Sequence, residues 1–279
     1  MRASELPVVA AIANFNMAHE LQNLLPSLIG QGYHEIFVLD DASTDNSRQV
    51  VKKFGHKVHF IAGETNKGAG ANRNRIIMAL NYPAIIHFLD ADVVLESTAT
   101  AARIKRAVPN EPFGFIVGLT RTSTGAWNAW NYGPRVGLRS DIGSCVQAWL
   151  IAPNVVKDPR LAALLSCLFR SLLVGWPDLL RAPQRKEVYF GIEQNLIIRS
   201  DIFAELGGFD ETLRETEILE LAIRMYRRGL KSYFDPRIVI RHTEGDVRKY
   251  DRGKLKTKEL RRINRQYGLV NWFFSADRH

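Results

Sequence analysis

Two aspartates separated by one residue, Asp90 and Asp92, end an apolar run that is typical of a buried strand. Alternate residues of a strand point to the same side, so we expect their carboxylates to lie close together and repel each other. A divalent cation relieves this repulsion, because Mg²⁺ and Mn²⁺ prefer carboxylate oxygens, and the cation could in turn bind a diphosphate. The same spacing also fits two solvated aspartates in a turn or a helix cap, and this alternative stays open.

A second acidic pair, Asp40 and Asp41, follows another apolar run. A carboxylate at a strand end can accept hydrogen bonds from a base N–H and a ribose hydroxyl, so the pair is a candidate nucleoside pocket. Phe15 offers this pocket a ring for stacking. The polar residues at positions 43–47 could cap the helix that follows, but capping does not explain both aspartates.

Glycines and cations lie together in the segment 66–74, at the start of a predicted helix. Backbone amides near the glycines, together with Lys67 and Arg73, would suit an anion such as a phosphate. A glycine-rich turn by itself is more often only a turn. The segment matches neither the phosphate loop of nucleoside triphosphatases nor the dinucleotide-binding fingerprint, which argues against both classes of protein.

Segments with the patterns of strands and helices alternate through the first third of the chain. We predict strands at Val8–Ala13, Glu35–Leu39, Val58–Ile61 and Ala84–Leu89, and helices at Glu20–Ile29, Ser47–Phe54 and Ala71–Leu80. This alternation predicts an α/β fold, with a Rossmann-like, mostly parallel sheet flanked by helices. Such sheets bind ligands beyond the carboxyl ends of their strands. The residues that follow the first predicted strand, Asn14, Phe15 and Asn16, and both acidic pairs stand at such ends.

The second half of the chain is predicted to be less regular, above all between Gly114 and Ala182. A core resumes with an apolar run at Glu193–Ile198, helices at Arg199–Leu206 and Thr216–Arg228, and a strand at Ile238–Ile240. The apolar segment Leu161–Trp176 carries Arg170 and falls short of the roughly 20 residues that span a bilayer. We expect a packed helix there, with attachment to a membrane surface as the alternative.

The amino-acid composition limits the size of the fold, the kind of partner and the cellular compartment. The 279 residues are 46% hydrophobic, which suffices for one large α/β domain or two small ones, and the net charge of +9 favours anionic partners. Two cysteines without metal-binding spacing argue against a disulfide framework and fit a reducing compartment. The apolar stretch near the amino terminus is too short for a secretory signal. We expect a cytoplasmic protein, with peripheral contact at the inner face of the membrane as an option.

Taken in order, these motifs resemble those of family 2 glycosyltransferases with the GT-A fold. The resemblance extends from Val8 to His242. It is carried by Ala11–Asn16, Val38–Asp45, Asn66–Gly68, Ala71–Asn74, Phe88–Asp92, Asn195–Arg199 and Leu206–Glu211. It implies a transferase that uses a nucleotide-diphosphate-sugar donor, for which we expect a UDP-sugar, and an acceptor that is a saccharide or is linked to a lipid.

The resemblance also implies roles for individual residues. Asp92 would contact a Mn²⁺ or Mg²⁺ ion directly, His242 would be a further metal ligand, and Asp41 would bind the base. A structural role for this lone histidine stays open. The other positions expected to contact the donor are Asn14, Phe15, Asn16, Asp40, Lys67, Arg73, Asp90 and Ala91.

The chain departs from the family pattern at the catalytic base. Family members carry Glu-Asp on the helix that follows the turn at 207–211, whereas this chain has Glu217-Ile218. Isoleucine cannot accept a proton, so we predict Glu217 as the base, with Glu215 or Glu220 as alternatives. A shift of one residue turns a side chain by about 100° around a helix. The glutamates could instead form only a solvated face of that helix.

The resemblance implies a GT-A domain at 1–245, with a nucleotide-sugar-binding half at 1–112 and an acceptor-binding half at 113–245. A basic and aromatic tail follows at 246–279. A solvated helix is the first expectation for this tail, contact with anionic lipid the second and nucleic acid the last, so no nucleic-acid partner is expected.

These expectations describe an inverting, metal-dependent hexosyltransferase that acts in polysaccharide or glycoconjugate synthesis. Two other functions remain as alternatives. The chain could be a nucleotide-sugar-binding protein without catalytic activity, because Ile218 stands where a base is expected. It could also be a nucleotidyltransferase, which would share the nucleotide pocket and the cation.

Overall fold

The computed structural model describes residues 2–123, 125, 131–133, 183–243 and 252–268 of the chain. The predicted helix at Leu161–Trp176 lies outside the described residues. So do the four tryptophans between Gly114 and Ala182, and the aromatic residues after position 268. The predictions made for these parts of the chain therefore stay predictions.

Strands and helices alternate along most of the described chain. The strands are β1 (Val8–Asn14), β2 (Ile36–Asp40), β3 (Val58–Ala62), β4 (Ile85–Asp90), β5 (Val93–Leu95), β6 (Ile116–Arg121), β7 (Tyr132–Gly133), β8 (Lys186–Val188), β9 (Phe190–Gly191), β10 (Asn195–Arg199) and β11 (Ser232–His242). The helices are α1 (Ala18–Leu28), α2 (Ser47–Lys52), α3 (Ala69–Ala79), α4 (Thr100–Ala107), α5 (Ser200–Glu205), α6 (Glu217–Arg227) and α7 (Arg252–Tyr267).

The central sheet has the strand order β3-β2-β1-β4-β10-β6-β11-β5, and β8 pairs with β11. The parallel strands are β1, β2, β3, β4, β6 and β11, and the antiparallel strands are β5, β8 and β10. This confirms the predicted α/β fold with a mostly parallel sheet. The chain moves outward from β1 to β3 and then returns to β4 on the other side of β1. At such a switch point a crevice opens at the carboxyl ends of the strands, where ligands bind.

Helices cover both faces of the sheet because the central strands are apolar on both sides. Val9 and Ala11 of β1 point to one face, where they join a cluster with α3, α5 and α6. Ala10 and Ile12 point to the other face, where they meet the leucines of α1 and the valines of α2. Continuous apolar runs of this kind are expected for parallel strands that are buried on both faces.

One prediction about the second half of the chain is wrong, and another is confirmed with different bounds. Ile116–Arg121, placed in the irregular stretch, forms β6 inside the sheet, and its apolar run is that of a buried strand. The strand predicted at Ile238–Ile240 is much longer, because β11 begins at Ser232. An irregularity in the pairing between Asp235 and Val239 interrupts its alternation, which explains why the pattern shows only the end of the strand.

A chain of buried polar groups crosses the sheet at His87 in β4. Asn195 Nδ2 donates to the carbonyl oxygens of Leu119 and Ile238, both at 3.2 Å, so its Oδ1 must accept. His87 Nε2 lies 2.8 Å from that Oδ1 and therefore carries the ring proton. His87 Nδ1 then accepts from the Tyr33 hydroxyl at 2.7 Å. A neutral imidazole thus links the two halves of the sheet.

The neutral state of His87 makes the stability of the fold depend on pH. Burial lowers the pKa of His87 from 6.5 to about 4. In the unfolded chain the imidazole binds a proton below about pH 6.5, so protonation favours unfolding. At about 1.4 kcal/mol per pKa unit, the free energy of unfolding should fall by roughly 3 kcal/mol between about pH 7 and pH 4. Urea unfolding across this range measures the loss.

The variant His87→Gln is the matched control for this prediction. Glutamine can hydrogen-bond to the same two partners but does not titrate, so the variant should lack the His87 contribution. Other groups titrate equally in both proteins and cancel in the comparison. An identical pH dependence in wild type and variant would contradict the prediction.

Candidate active site

The carboxyl ends of β1, β2 and β4 lie side by side at one edge of the sheet. Asn14 pairs in register with Asp40, and Ala13 pairs with Asp90. Asn14 Nδ2 donates to Asp40 Oδ1 at 2.7 Å and to Ser43 Oγ at 3.2 Å. Asn14 Oδ1 is buried and has no hydrogen-bond partner within the described residues. The structure therefore brings the predicted donor residues of these strands together and leaves one acceptor atom among them.

Two residues in the left-handed region shape the loops after β1 and β2. Asn16 has φ of +52°, and Ala42 has φ of +63°, a conformation that glycine usually supplies. The Asn16 N–H donates to Ser43 Oγ, and Asn16 Oδ1 accepts from the Thr44 N–H, both at 2.8 Å. Asp40 Oδ2 accepts from the Ser43 N–H at 2.9 Å. Asn16 and Asp40 thus cross-link the two loops, and their contact with a donor stays a prediction.

Asp41 joins the end of β2 to the start of α3. Its Oδ2 accepts from the Gly68 N–H at 2.8 Å, and its two oxygens lie 3.0 and 3.1 Å from the Lys67 nitrogen. Arg75 Nη2 adds a contact of 3.3 Å. These donors compensate the burial of the carboxylate, which is only 3% exposed. The aspartate predicted to bind the base therefore also anchors the glycine-rich segment.

Three other predicted donor residues lie at the same edge. Phe15 is half-buried and follows Asn14 directly. Ala91 is buried, and its N–H donates to the Ala13 carbonyl at 3.2 Å. The Lys67 side chain is exposed, although its backbone N–H is held by Asp41. Their roles in binding a donor stay predictions.

Asp45 fixes the start of α1 from the neighbouring loop. Its Oδ2 accepts from the Ala18 N–H at 2.8 Å, and its Oδ1 accepts from the Ser47 N–H at 3.0 Å. Partial burial would raise the pKa of Asp45, but the hydrogen bonds from Ser47 and Ala18 lower it below its ordinary value. The carboxylate therefore stays ionised near neutral pH and satisfies amides at the starts of both α1 and α2.

Arg73 is a buried cation in α3. Its Nη2 lies 2.5 Å from Asp90 Oδ1, whereas its Nε has no partner within the described residues. Burial would lower the pKa of Arg73, but nearby carboxylates raise it above its ordinary value. These carboxylates belong to Asp90, Glu193 and Glu217. Asp90 therefore neutralises Arg73, which distinguishes it from Asp92 two residues later.

Asp92 meets His242 where β5 pairs with the end of β11. Asp92 Oδ2 lies 3.1 Å from His242 Nε2, and the Asp92 carbonyl accepts from the Thr243 N–H at 2.8 Å. Asp92 Oδ1 is buried and has no hydrogen-bond partner in the part of the chain that the structure describes. An orphaned carboxylate oxygen beside an imidazole fits a divalent cation. The described residues contain no group of three or more His, Cys, Asp or Glu suited to a metal.

Glu217 begins α6 and turns towards α3. A Cβ atom at Gly70 of α3 would lie 2.8 Å from Glu217 Cγ, so the two helices touch at this point. Burial raises the pKa of Glu217 to about 8, and the charge of Glu193 adds to this effect while Arg73 opposes it. A carboxylate with this pKa exchanges its proton near neutral pH, which suits a general base.

The neighbours of Glu217 on α6 have other roles. Ile218 is buried in the apolar cluster with Leu221 and Ala222, so it points into the core. Glu220 accepts hydrogen bonds from Arg224 Nε and Nη2 and from the Tyr267 hydroxyl. The idea that Glu217 and Glu220 form a solvated face is wrong, because both are buried. Glu220 is occupied by Arg224 and Tyr267, whereas the charge of Glu217 acts on Arg73.

Two acidic residues near this site were not predicted. Glu193 lies just before β10, and burial raises its pKa while Arg73 opposes the rise. Nothing in its sequence context distinguishes it from a solvated residue at a strand end. Glu259 contacts the loop before Glu217 from α7. It is the one acidic residue in the basic helix Arg252–Tyr267, a signal that could have identified it.

Comparison with known protein families gives a match that extends from the first strand past the middle of the chain. The family described as Glycosyl transferase family 2 matches residues 10–164, which is more than half of the chain. Two poly-beta-1,6-N-acetyl-D-glucosamine synthases of Staphylococcus epidermidis are 28% identical to it over 114 residues. That match covers 39% of this chain and 27% of each synthase, so the chain spans about a quarter of these relatives.

Several solved structures have a similar fold over most of the length of this chain. S. aureus TarS 1-349 has 16% identity and a TM-score of 0.57, over 94% of this chain and 65% of TarS. GalNAc-T7 with UDP, GalNAc and Mn²⁺ has 16% identity and a TM-score of 0.58, over 85% of this chain and 44% of the other. The mannosyltransferase PcManGT from Pyrobaculum calidifontis, in complex with GDP-Man and Mn²⁺, has 15% identity and a TM-score of 0.58, over 95% and 66%. At these identities the likeness concerns the fold, and it confirms the predicted GT-A fold.

Proposed function

Because this chain belongs to glycosyltransferase family 2, we propose that it is a metal-dependent, inverting enzyme that transfers a sugar from a nucleoside diphosphate to an acceptor hydroxyl. Family and fold support the transferase. One arrangement supports the chemistry. Asp92 has a buried oxygen without a hydrogen-bond partner among the described residues, beside His242, and the charge of Glu217 interacts with that of Arg73. Arg73 in turn pairs with Asp90, two residues before Asp92.

Asp92 and His242 are the proposed ligands of a divalent cation. Carboxylate oxygen and imidazole nitrogen both suit Mn²⁺, and GalNAc-T7 and PcManGT were each solved with this ion. When bound, Mn²⁺ or Mg²⁺ would stabilise the negative charge that develops on the leaving diphosphate. Phosphate oxygens and water would complete the ligand set, as is usual for Mg²⁺.

A UDP-sugar is the proposed donor. The base would lie near Asp41 and Phe15, where the orphaned Asn14 Oδ1 offers a further acceptor for an N–H or hydroxyl. The phosphates would lie towards Lys67 and the amino end of α3, where a helix dipole favours negative charge. GalNAc-T7 was solved with UDP, and PcManGT with GDP-Man, so a nucleoside diphosphate is common to both structures.

Glu217 is the proposed base of a single displacement. It would take the proton of the acceptor hydroxyl while that oxygen attacks the anomeric carbon from the side opposite the diphosphate, which inverts the configuration there. Burial and Glu193 raise the pKa of Glu217 to about 8, which strengthens it as a proton acceptor. Arg73 would then stabilise the ionised carboxylate before the acceptor binds.

The acceptor is proposed to be a saccharide or a lipid-linked glycan, in polysaccharide or glycoconjugate synthesis. The relatives from Staphylococcus epidermidis, which are named as synthases of an N-acetylglucosamine polymer, support this class. In this proposal, residues 1–112 bind the donor and residues 113–245 bind the acceptor. Glu217 belongs to the second half and faces Arg73 of the first, so the reaction would occur between them.

Replacing Asp92 tests the metal site. Calorimetry should show that wild-type protein binds UDP more tightly with Mn²⁺ than without it. In Asp92→Asn this gain should fall by at least about tenfold, because even outer-shell changes at metal sites cost roughly 10- to 100-fold in affinity. Asp201→Asn is the matched control, since Asp201 pairs with Arg199 at the other end of the sheet. An equal gain in both variants would remove Asp92 from the site.

Replacing Glu217 tests the base. Glu217→Gln keeps the side-chain shape but cannot take a proton, so kcat should fall roughly 10²- to 10⁴-fold with little change in donor affinity. In wild type, kcat should rise with pH through about 8, because the base acts in its ionised form. Glu215→Gln is the control for the alternative base and should keep most of the activity. Loss of activity in Glu215→Gln alone would assign the base to that residue.

The products of wild-type protein separate the three candidate functions. Release of a nucleoside diphosphate from a panel of UDP- and GDP-sugars, with transfer to an acceptor, supports a glycosyltransferase. Release of pyrophosphate indicates a nucleotidyltransferase. Donor binding without turnover, with every acceptor class tried, indicates a protein that binds nucleotide sugars but does not catalyse transfer.

We also propose that α7 docks on an anionic membrane surface. Lys254, Lys258 and Arg265 are exposed and lie along one stripe of the helix, opposite the buried Leu260 and Ile263. Each such cation near a lipid surface contributes about 1 kcal/mol. None of the helices in the described ranges is long and apolar enough to cross a bilayer. Docking would bring the protein close to a lipid-linked acceptor.

Vesicle co-sedimentation tests this docking. Wild-type protein should bind vesicles that contain phosphatidylglycerol but not vesicles of phosphatidylcholine alone. Replacing Lys254, Lys258 and Arg265 by glutamine should weaken binding roughly 10²-fold, from about 1 kcal/mol for each cation. The matched control replaces Lys52, Lys53 and Lys57, which are also exposed, and changes the net charge equally. Equal loss in both triple variants would show that only net charge matters.

A further inference from the structure

Helix α7 packs against the helix that carries Glu217. Leu260 and Ile263 of α7 are buried in an apolar cluster that also contains Leu213, Leu219 and Ile223. Two of these partners belong to α6, and Leu213 lies in the loop before it. The described part of the predicted tail is therefore packed on the acceptor side, and its inner face lies beside the start of α6.

Glu259 is the buried acidic residue on this inner face. Its Oε1 accepts from the Arg214 N–H at 2.8 Å. Its Oε2 accepts from the Glu215 N–H at 3.0 Å and from the Thr216 hydroxyl at 2.8 Å. Three donors thus converge on one carboxylate that is only 5% exposed. Hydrogen bonds to an ionised acceptor are stronger than neutral ones, so the contact holds these residues firmly.

The three donors come directly before Glu217 in the chain. Thr216 is the N-cap of α6, but its side chain makes no cap hydrogen bond to that helix. Its hydroxyl is directed to Glu259 instead. The position of the first turn of α6 is therefore determined by a group from another helix, rather than by the loop itself.

The held segment lies along the first turn of α3. A Cβ atom at Gly68 would lie 3.4 Å from Arg214 Nη1, and one at Gly70 would lie 2.8 Å from Glu217 Cγ. The segment 214–217 thus contacts α3 at both of its ends. A small movement of its backbone would change the distance between Glu217 and Arg73, which is on the same helix as the two glycines.

Two further contacts, both from residues that follow Glu259, hold α7 in place. Arg262 Nη1 donates to Thr212 Oγ1 at 2.6 Å, two residues before the held segment. The Tyr267 hydroxyl donates to Glu220 on α6. Because α7 is fixed at several points, Glu259 presents its carboxylate from a rigid support.

From this geometry we propose that Glu259 is a positioning residue for sugar transfer. It holds the segment 214–217 against α3, so that Glu217 keeps the orientation in which it takes the proton of the acceptor. The inference rests on the proposed function, since it gives a role to the base named there. It also makes α7 a necessary part of the active site, because Glu259 acts on the base through the segment 214–217.

The variants Glu259→Gln and Glu259→Asp test the proposal, with the exposed Lys256→Gln on the same helix as the control. Glutamine can accept from one N–H, but its amide NH₂ faces the other donors. We expect kcat to fall roughly 10²-fold, as for a displacement of about 1 Å at a reacting group, while the calorimetric affinity for UDP and Mn²⁺ stays unchanged. Aspartate keeps the charge and should restore part of the rate. Lys256→Gln should behave as wild type.

Hydrogen exchange followed by mass spectrometry provides a measurement that does not depend on activity. In Glu259→Gln, exchange should become faster in the peptide that covers 213–217 and stay unchanged in β1 and β4. Unchanged exchange there, or an unchanged kcat in an active protein, would overturn the proposal. Faster exchange throughout the sheet would also overturn it, because it would show a general loss of stability. If wild type transfers no sugar, the proposed function fails, and the exchange result alone decides whether Glu259 holds the segment.

Discussion

Negative charges crowd the carboxyl edge of the sheet, and the surrounding residues are arranged to compensate their repulsion. The acidic side chains at this edge are Asp40, Asp41, Asp90, Asp92, Glu193 and Glu217. Two like charges about 4 Å apart repel by about 4 kcal/mol at an effective dielectric constant of about 20. Arg73 pairs with Asp90 and the partly buried Arg75 with Asp41, and these two cations cannot neutralise so many carboxylates. Each carboxylate therefore needs donors of its own or must share a proton, and the kind of compensation decides what it can do chemically.

The compensation differs between the two sides of the edge. Asp40 and Asp41 accept from backbone amides, which are fixed dipoles that neither move nor titrate, so these residues serve as anchors for the loops. Asp90 takes the nearest contact with Arg73. Burial and the charge of Glu193 raise the pKa of Glu217 to about 8, and Arg73 offsets only part of this rise. Burial beside another carboxylate thus makes Glu217 a proton acceptor near neutral pH.

Local sequence patterns were enough to predict the strands and helices of the first half of the fold. They also predicted the pairs of polar residues at the strand ends. Apolar runs followed by Asn14, by Asp40 and by Asp90 predicted parallel strands whose ends meet, because such strands are buried on both faces. Contacts between residues far apart in the chain leave no comparable pattern in the sequence. Glu259 acts across more than 40 residues of chain on the Thr216 hydroxyl. Burial raises the pKa of Glu193, and the charge of Arg73, from another part of the sequence, opposes the rise. Both depend on how helices pack on the finished sheet.

Ile218 shows how packing changes the meaning of a substitution. Read as sequence, an isoleucine in the place of the usual carboxylate argues against catalysis. In the structure Ile218 lies with Leu221, Ala222 and Met225 on the buried stripe of α6, at the spacing that one helix face requires. An aspartate there would need donors inside an apolar cluster. Glu217, about 100° away around the helix, lies against Gly70 of α3 instead, where its charge interacts with that of Arg73. The rotation that separates the two side chains therefore places the Glu217 carboxylate beside α3, while Ile218 packs in the core.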